Sequence, residues 1–498
     1  MRTPLIKAVV FLGIVSVLVW AVADIYARLS EKTVLYRYIS DALNQREMAV
    51  ARVEWRPAGR LLDRPFTEAD AAQVEKVLDQ AWASLTFAQQ TGNIDVLSDA
   101  FTGVALERAE QSAVDAIGHG GVLAVLHSSA KPVFFHRDAS ILQLEVDTYA
   151  VRMLIEQGAL SHHQVTLDSN IITFLNGGYG WRISNLERLD AVVPEYQSAE
   201  VGQPARAGLN YYPAATPWTQ FWRDYEPGTV EDDLVRIRDL GADSIRVFLT
   251  YDAFIDPEAT ELSVNHLRHL LDAARQNGLS VVPTLFDLKP DFSPVTWVED
   301  ARYLDTVMPI LAEAPSVAYI DLKNEADLDF ETHGQAKILG WLTTIRAYLR
   351  ETAPELGATI GWSSAEWASQ LETELEVISY HDYAPLDDAR NRLDAVKAGS
   401  GGKPVAVTEI GYTSFDALRG FPGSPETQAE QLAVHIEALT DADGVFVWTL
   451  YDFANIDTAA IGRSPWRRQI QSSFGLLDSF GNEKPAARVV REAFRKID

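Results

Sequence analysis

The chain contains no cysteine, which excludes disulfides, thiolate nucleophiles and thiolate metal sites and leaves the redox compartment open. Positive charge is scarce. Lys and Arg number 43 against 70 Asp and Glu, a formal net charge of -27. Such a surface repels phosphate backbones and anionic lipid, so nucleic acid is not an expected partner. Glycine (30) and proline (22) are unremarkable in 498 residues, and no internal repeat is visible, which excludes collagen, coiled coil and extended disorder. What is present is the apolar half of an ordinary globular protein, 47% hydrophobic and 10% aromatic. The length predicts two or three domains.

Only one long uncharged apolar run occurs, Ala8 to Ala23 (AVVFLGIVSVLVWAVA), preceded by Arg2 and Lys7 and closed by Asp24. It reads as a membrane-entering segment, 1–24. The Ala21-Val22-Ala23 triplet fits a cleavable signal, while the length of the run fits an uncleaved anchor. The anchor is the expectation adopted, because Ile25 to Leu43 continues as a helical pattern; residues 25–64 then form a helical connector. Basic residues ahead of the run place the remainder outside an inner membrane, in the periplasm, or secreted if the run is cleaved.

Thr67 to Gln90 carries apolar positions at helical spacing with acidic residues at its start, and a second helix is predicted across Leu106 to Ile117. Period-two stretches follow at 121–128, 132–136, 140–152, 161–166 and 171–186, with Asn176-Gly177-Gly178 as a turn. Helices followed by antiparallel strands predict an α+β domain over 65–195. Its order, and its ending ITFLNGGYGWRISNLERL, resemble the nuclear transport factor 2 (SnoaL-like) fold. That resemblance implies an accessory module able to support oligomerisation, and no particular chemistry.

After a polar boundary at 194–207, short β-branched runs alternate with helical patterns. Strands are expected near 208–212, 244–249, 280–286, 317–322, 358–362, 377–381, 405–409 and 444–450. Helices are expected near 230–240, 264–277, 295–312, 334–352, 365–371, 386–398, 427–440 and 484–497. Eight strand–helix units over 205–498 predict a (β/α)8 TIM barrel, so the fold class is α/β with an α+β domain and a transmembrane helix ahead of it.

Chemistry in such a barrel sits at the C-terminal strand ends. The fourth strand runs into Asn324-Glu325 and the seventh ends in Glu409. Two carboxylates on separated strands suit retaining glycoside hydrolysis, in which one protonates the leaving oxygen and the other attacks the anomeric carbon. YIDLKNE, PVAVTEIG and FVWTLYDF, in this order, resemble the clan A glycoside hydrolases, most closely glycoside hydrolase family 5 and its cellulase-like members, over about 205–498.

The resemblance implies Glu325 as acid/base, Glu409 as nucleophile and Asn324 as donor to the sugar 2-hydroxyl. It also implies Arg246 beside the nucleophile, His381 and Tyr383 as a His-x-Tyr pair, and Trp448 under the reacting sugar. One position departs from many cellulases: VVPTLFDLKPD offers Phe286 and Asp287 where a histidine is common. On physical grounds Arg246 and Tyr383 should keep Glu409 ionised, while Glu325, next to that charge, should have a raised pKa.

No metal or other cofactor is called for, and the expected partner is a β-linked polysaccharide or oligosaccharide. Transglycosylation uses the same residues as hydrolysis. A rival reading is a non-catalytic glycan-binding or assembly subunit of an exopolysaccharide system. Of the scattered tryptophans (Trp218, Trp222, Trp297, Trp362, Trp367, Trp466), most are expected in packing and one or two along subsites.

Overall fold

In a computed structural model the described residues are 52–496, apart from 60, 120, 179, 197–198, 200–204, 257–258, 419, 457 and 462–463. The apolar run 8–23 therefore lies outside them. No helix among the described residues is long and apolar enough to cross a membrane. The expected inner-membrane anchor and periplasmic placement are corrected accordingly: no described element supports them.

The first layer is a six-stranded sheet with two helices on it. Helix Glu68–Thr91 starts where Thr67 and Asp70 satisfy each other's backbone N–H groups, and it stops at Gly92 in a left-handed conformation. Helix Gly103–His119 packs beside it. Four long antiparallel strands follow: β3 (Gly121–Phe135), β4 (Ile141–Glu156), β5 (Ala159–Asn176) and β6 (Trp181–Val192).

The short segments separated in the sequence are thus fused. Pro132 lies within β3, and bulges at 125–127 and 132–134 absorb the breaks in alternation. The Asn176 turn is where expected. Two short strands, β1 (Arg52–Trp55) and β2 (Leu61–Leu62), pair with β3, so the described end of the expected helical connector contributes strands to the sheet instead.

Both faces of this sheet are covered. Leu142, Leu144, Val146, Ile172 and Phe174 face the two helices. Residues of opposite parity, among them Tyr149, Val151 and Met153, belong to the barrel's own core. They meet the helix Gln335–Thr352. A Cβ on Gly340 would lie 2.5 Å from the Met153 sulfur, so a larger residue there would force the methionine to move. Tyr149 stands edge-on to Tyr348 at 5.4 Å, and His163 bonds Thr344 at 2.8 Å. Burial drives the His163 imidazole pKa down to about 4, so it sits neutral in the contact. The sheet face opposite the two helices is therefore occupied by the barrel, and among the described residues nothing supports the oligomerisation expected through 65–195.

The second layer is a closed parallel barrel of eight strands: β7 (Ala207–Asn210), β8 (Ser244–Thr250), β9 (Ser280–Asp287), β10 (Ile320–Asn324), β11 (Ala358–Trp362), β12 (Ile378–His381), β13 (Val405–Ile410) and β14 (Gly444–Val447). All eight coincide with expected strands. Their runs are buried on both faces, as a barrel wrapped in helices requires. One expected helix is absent: 365–371 forms turns between β11 and a short 3-10 turn at Glu372–Glu374. The window, AEWASQL, carries a serine, a tryptophan and one charge, Glu366, and tertiary packing outweighs its weak helical pattern.

Because the sheet and the barrel share one core, truncating a contact between them should weaken the whole unit. Met153→Ala is expected to cost about 2–5 kcal/mol. It should lower the urea midpoint of a single transition, read in parallel by far-UV circular dichroism and tryptophan fluorescence. Two separated transitions would show the layers to be independent.

Candidate active site

The site is built around a guanidinium. Arg246 points from β8 into the barrel and is fully buried. A lone buried charge is very costly, and here every donor group finds an acceptor. Nε and Nη2 donate to Asp321 Oδ2 at 3.1 and 2.7 Å. Nη1 donates to Asn210 at 2.9 Å and to Glu409 Oε1 at 2.6 Å, and Nη2 also reaches the Asn324 side-chain oxygen at 2.8 Å. Burial alone would lower the arginine pKa, but Asp321 and Glu409 outweigh it and hold the cation.

Asp321 is fixed in turn by Thr284 (3.0 Å) and the Gly361 N–H (2.9 Å). A Cβ at Gly361 would come within 3.0 Å of Arg246, Asp321 and His381 together, so the polar cluster closes directly onto this strand's backbone.

The strand ends then aim the two expected carboxylates. Glu409, near the end of β13, accepts from Arg246 on one oxygen and from the Tyr383 hydroxyl on the other at 2.9 Å. The Tyr383 side chain is 45% exposed, but desolvation of its hydroxyl against Glu409, and the Glu409 charge, push the phenol well above its ordinary pKa, so it serves as a donor. Glu325 follows β10 with φ 47° and ψ 49°. This is a left-handed conformation that non-glycine residues take at a cost, and it turns the side chain towards β12. There His381 Nδ1 lies 3.0 Å from Glu325 Oε1, and His381 Nε2 lies 3.7 Å from Glu409 Oε1. One oxygen of Glu325, one ring nitrogen of His381 and one oxygen of Glu409 all lie within 4.8 Å of one another.

The protonation expected for Glu325 requires correction. Burial raises its pKa, but the His381 hydrogen bond and charge, with Arg246 and Lys323 behind them, outweigh burial, and the net shift is downward. The sequence argument weighed only the Glu409 charge. The histidine between the two carboxylates was not part of it.

Asn324 keeps its amide nitrogen without a partner among the described residues. Trp448, at the end of β14, is 8% exposed. It is held edge-on by Phe248 (5.9 Å) and Tyr212 (6.4 Å), with Trp218 tilted against it at 6.4 Å. All seven expected site residues thus gather at one end of the barrel. Trp222, Trp297 and Trp362 are fully buried packing residues, whereas Trp466 is 47% exposed.

Several participants escaped the sequence reading. Asp321 and Asn210, both wholly buried, carry no motif that distinguishes them from ordinary strand residues. Tyr212 donates to Asp287 Oδ2 at 3.3 Å beneath the same cleft. Burial drives the Asp287 pKa up to about 6, with Lys323, Arg246 and Tyr212 opposing it. Polar residues inside β-branched runs were the available signal.

Glu325, His381 and Glu409 also have the composition of a cation site. The fit is poor, because His381 already faces Glu325 and the Arg246 guanidinium is hydrogen-bonded to Glu409. A divalent ion there would sit beside a buried cation.

The fold, a closed parallel barrel of eight strands with Glu325 and Glu409 at its strand ends, is shared with solved glycoside hydrolases. No protein-family model matches the chain, and no curated protein does; solved structures do. A GH5_18 enzyme of Streptomyces cattleya in complex with Manb1-4GlcNAc is 22% identical, with a TM-score of 0.50, covering 58% of this chain and 80% of that one. The S. cattleya GH5_18 in complex with GlcNAc is 21% identical at the same TM-score, covering 59% and 81%. An exo-beta-1,4-mannosidase from Opitutaceae bacterium strain TAV5 is 22% identical, again at 0.50, covering 60% and 61%. At these identities the likeness is one of fold.

A prediction follows from Asp287. Its folded pKa lies above the unfolded value, so the native state holds the proton more tightly. Stability then declines as pH rises from about 4 to about 6, and the full penalty persists above. Asp287→Asn removes the penalty: its urea midpoint should exceed that of the parent at pH 7.5 and match it near pH 4. An equal offset at both pH values would show that the carboxyl is not the cause.

Proposed function

We propose that the chain is a retaining β-glycosidase in which Glu409 is the nucleophile and Glu325 the acid/base. The observation carrying this reading is the approach of a Glu325 oxygen and a Glu409 oxygen to within 4.8 Å. Direct attack on the sugar needs carboxyl groups about 5–5.5 Å apart, whereas water-mediated inversion needs about 6.5–9.5 Å.

In the first half-reaction a Glu409 oxygen attacks the anomeric carbon. The bond to the leaving oxygen breaks, and Glu325 delivers its proton to that oxygen. In the second, ionised Glu325 takes a proton from water, the hydroxide oxygen bonds the anomeric carbon, and the Glu409 ester bond breaks. Arg246 and Tyr383 hold the attacking carboxylate in one rotamer, so little reorganisation is needed as charge moves. Asn324, locked by Arg246 through its oxygen, leaves its N–H groups for a ring hydroxyl.

His381 holds Glu325 towards the ionised form in the free site, so the acid function belongs to the pair. A sugar covering Glu325 extends the burial that already pushes its pKa upward, and this favours the protonated form once substrate is bound.

For the substrate we infer a β-linked glycan. The ligands named for the S. cattleya enzymes, Manb1-4GlcNAc and GlcNAc, and the β-1,4-mannosidase activity named for the Opitutaceae protein support a manno- or hexosaminyl-containing chain as the first to try. We assign residues 65–195 a supporting role. They brace the helix Gln335–Thr352, which follows the Glu325 loop. Were the barrel instead a non-turnover glycan-binding subunit, a Glu325–Glu409 pair at attack distance would have no use.

The first test is the anomeric configuration of the initial product from an aryl β-glycoside, followed by proton NMR. A β product is expected; an initial α product would sink the double displacement. Glu409→Ala should lose at least about 10³-fold in kcat. Glu325→Ala should retain turnover of good leaving groups and form a β-glycosyl azide when azide is supplied. Equal inertness of parent and Glu409→Ala on β-glucans, β-mannans and xylans would instead favour the binding subunit.

A second test concerns His381. Its removal in His381→Ala frees Glu325 to shift upward, so the basic limb of the kcat/KM–pH profile should move to higher pH. An unmoved limb would remove His381 from proton control.

A further inference from the structure

Two loops at the catalytic end of the barrel carry large aromatic side chains outward. The first, 411–424, follows β13 and therefore Glu409; the second lies between β14 and the last helix and contains the short helix Pro465–Gln471. Phe421 is 65% exposed and Trp466 47%. Their rings lie near-parallel, 28° apart with centroids 6.4 Å from each other, and Phe415 buttresses Trp466 edge-on at 5.5 Å. Exposed aromatics at this density are costly to leave in water and mark contact surfaces.

The two loops are laced to each other. Ser414 N–H and Oγ–H both donate to the Ser473 carbonyl, at 2.8 and 3.0 Å, and the Thr413 hydroxyl donates to the Ile470 carbonyl at 3.1 Å. The aromatic platform they carry is also continuous with the candidate active site. Phe474, next to Ser473, meets the Tyr383 ring edge-on at 6.4 Å, and Tyr383 donates to Glu409.

We propose that Phe421 and Trp466 form a distal subsite that stacks on the sugar faces of a glycan chain extending from the cleft, so that the chain acts on polymers longer than its cleft holds. Continuity of the surface with Glu409 favours this occupant. The C–H-rich faces of β-linked pyranosides suit flat aromatic rings, and loops joined to each other by hydrogen bonds spend less ordering entropy on binding than free ones. This assignment rests on the glycoside-hydrolase reading of the cleft, and the experiment separates the two.

The full-length chain and its Trp466→Ala, Phe421→Ala and double variants are assayed on a β-linked polymer and on an aryl glycoside occupying only the cleft. The double variant should lose about tenfold or more in kcat/KM on the polymer, mainly through KM, with aryl-glycoside turnover unchanged within about twofold. Equal loss on both substrates, or none on the polymer, overturns the subsite.

If the parent turns over neither substrate, the proposed function fails by itself. Affinity electrophoresis in polymer-containing gels then still reads the platform: retardation of the parent that disappears in the double variant upholds it, and unchanged mobility overturns it. Sedimentation velocity covers the remaining occupant. A parent dimer that becomes monomeric in the double variant would show that the rings pair two copies of the chain, and would overturn the glycan assignment.

Discussion

The buried Arg246 guanidinium organises the barrel's reactive end. It joins β7 through Asn210, β10 through Asp321 and Asn324, and β13 through Glu409 with five hydrogen bonds. Desolvating one cation and two carboxylates is unfavourable, and only this near-complete set of partners makes it tolerable; removing one member would strand the others. Rigidity at the site is therefore a consequence of charge burial. Glu409 cannot turn away without leaving a buried cation short of an acceptor, and Asn324 cannot rotate without losing the same guanidinium. Chemistry that needs a carboxylate held in one position obtains it from electrostatics rather than from side-chain packing.

A second constraint acts from outside. The sheet of the first layer is apolar on both faces and so needs two covers. The paired helices supply one and the barrel supplies the other, through Tyr149, Val151 and Met153 against the helix Gln335–Thr352. That helix leaves the loop bearing Glu325 and also carries Trp341, whose indole N–H donates to buried Asp300 at 2.8 Å. Lys289 Nζ reaches the same carboxylate at 2.6 Å from the loop after β9. The accessory layer is in this way mechanically joined to the wall of the cleft.

Much of this was legible in the chain because its signals are strong and local. Runs such as SIRVF and VAVTEI are buried on both sides and read as strands without ambiguity, and Glu325 and Glu409 stand out because charge at the end of such a run has no packing use. Asp321 was invisible for the opposite reason: within YIDLKNE an aspartate four residues before the candidate Glu325 looks like one more rim acid, and only three-dimensional contact shows it holding Arg246 and Gly361. The raised pKa expected for Glu325 failed because the position of His381 between the carboxylates depends on the side-by-side pairing of β12 and β13. The helix expected at 365–371 failed because its weak periodicity competed with packing.

Residue order alone determined the alternation of strands and helices and the eight strands of the barrel, and it singled out the two strand-end glutamates as candidates, since period and burial are written locally along the chain. Tertiary structure decided how close those carboxylates stand, which groups lie between them and what covers each face of the sheet. These depend on distances between residues far apart in sequence, where a shift of a few ångströms changes a Coulomb energy severalfold and no local pattern records it.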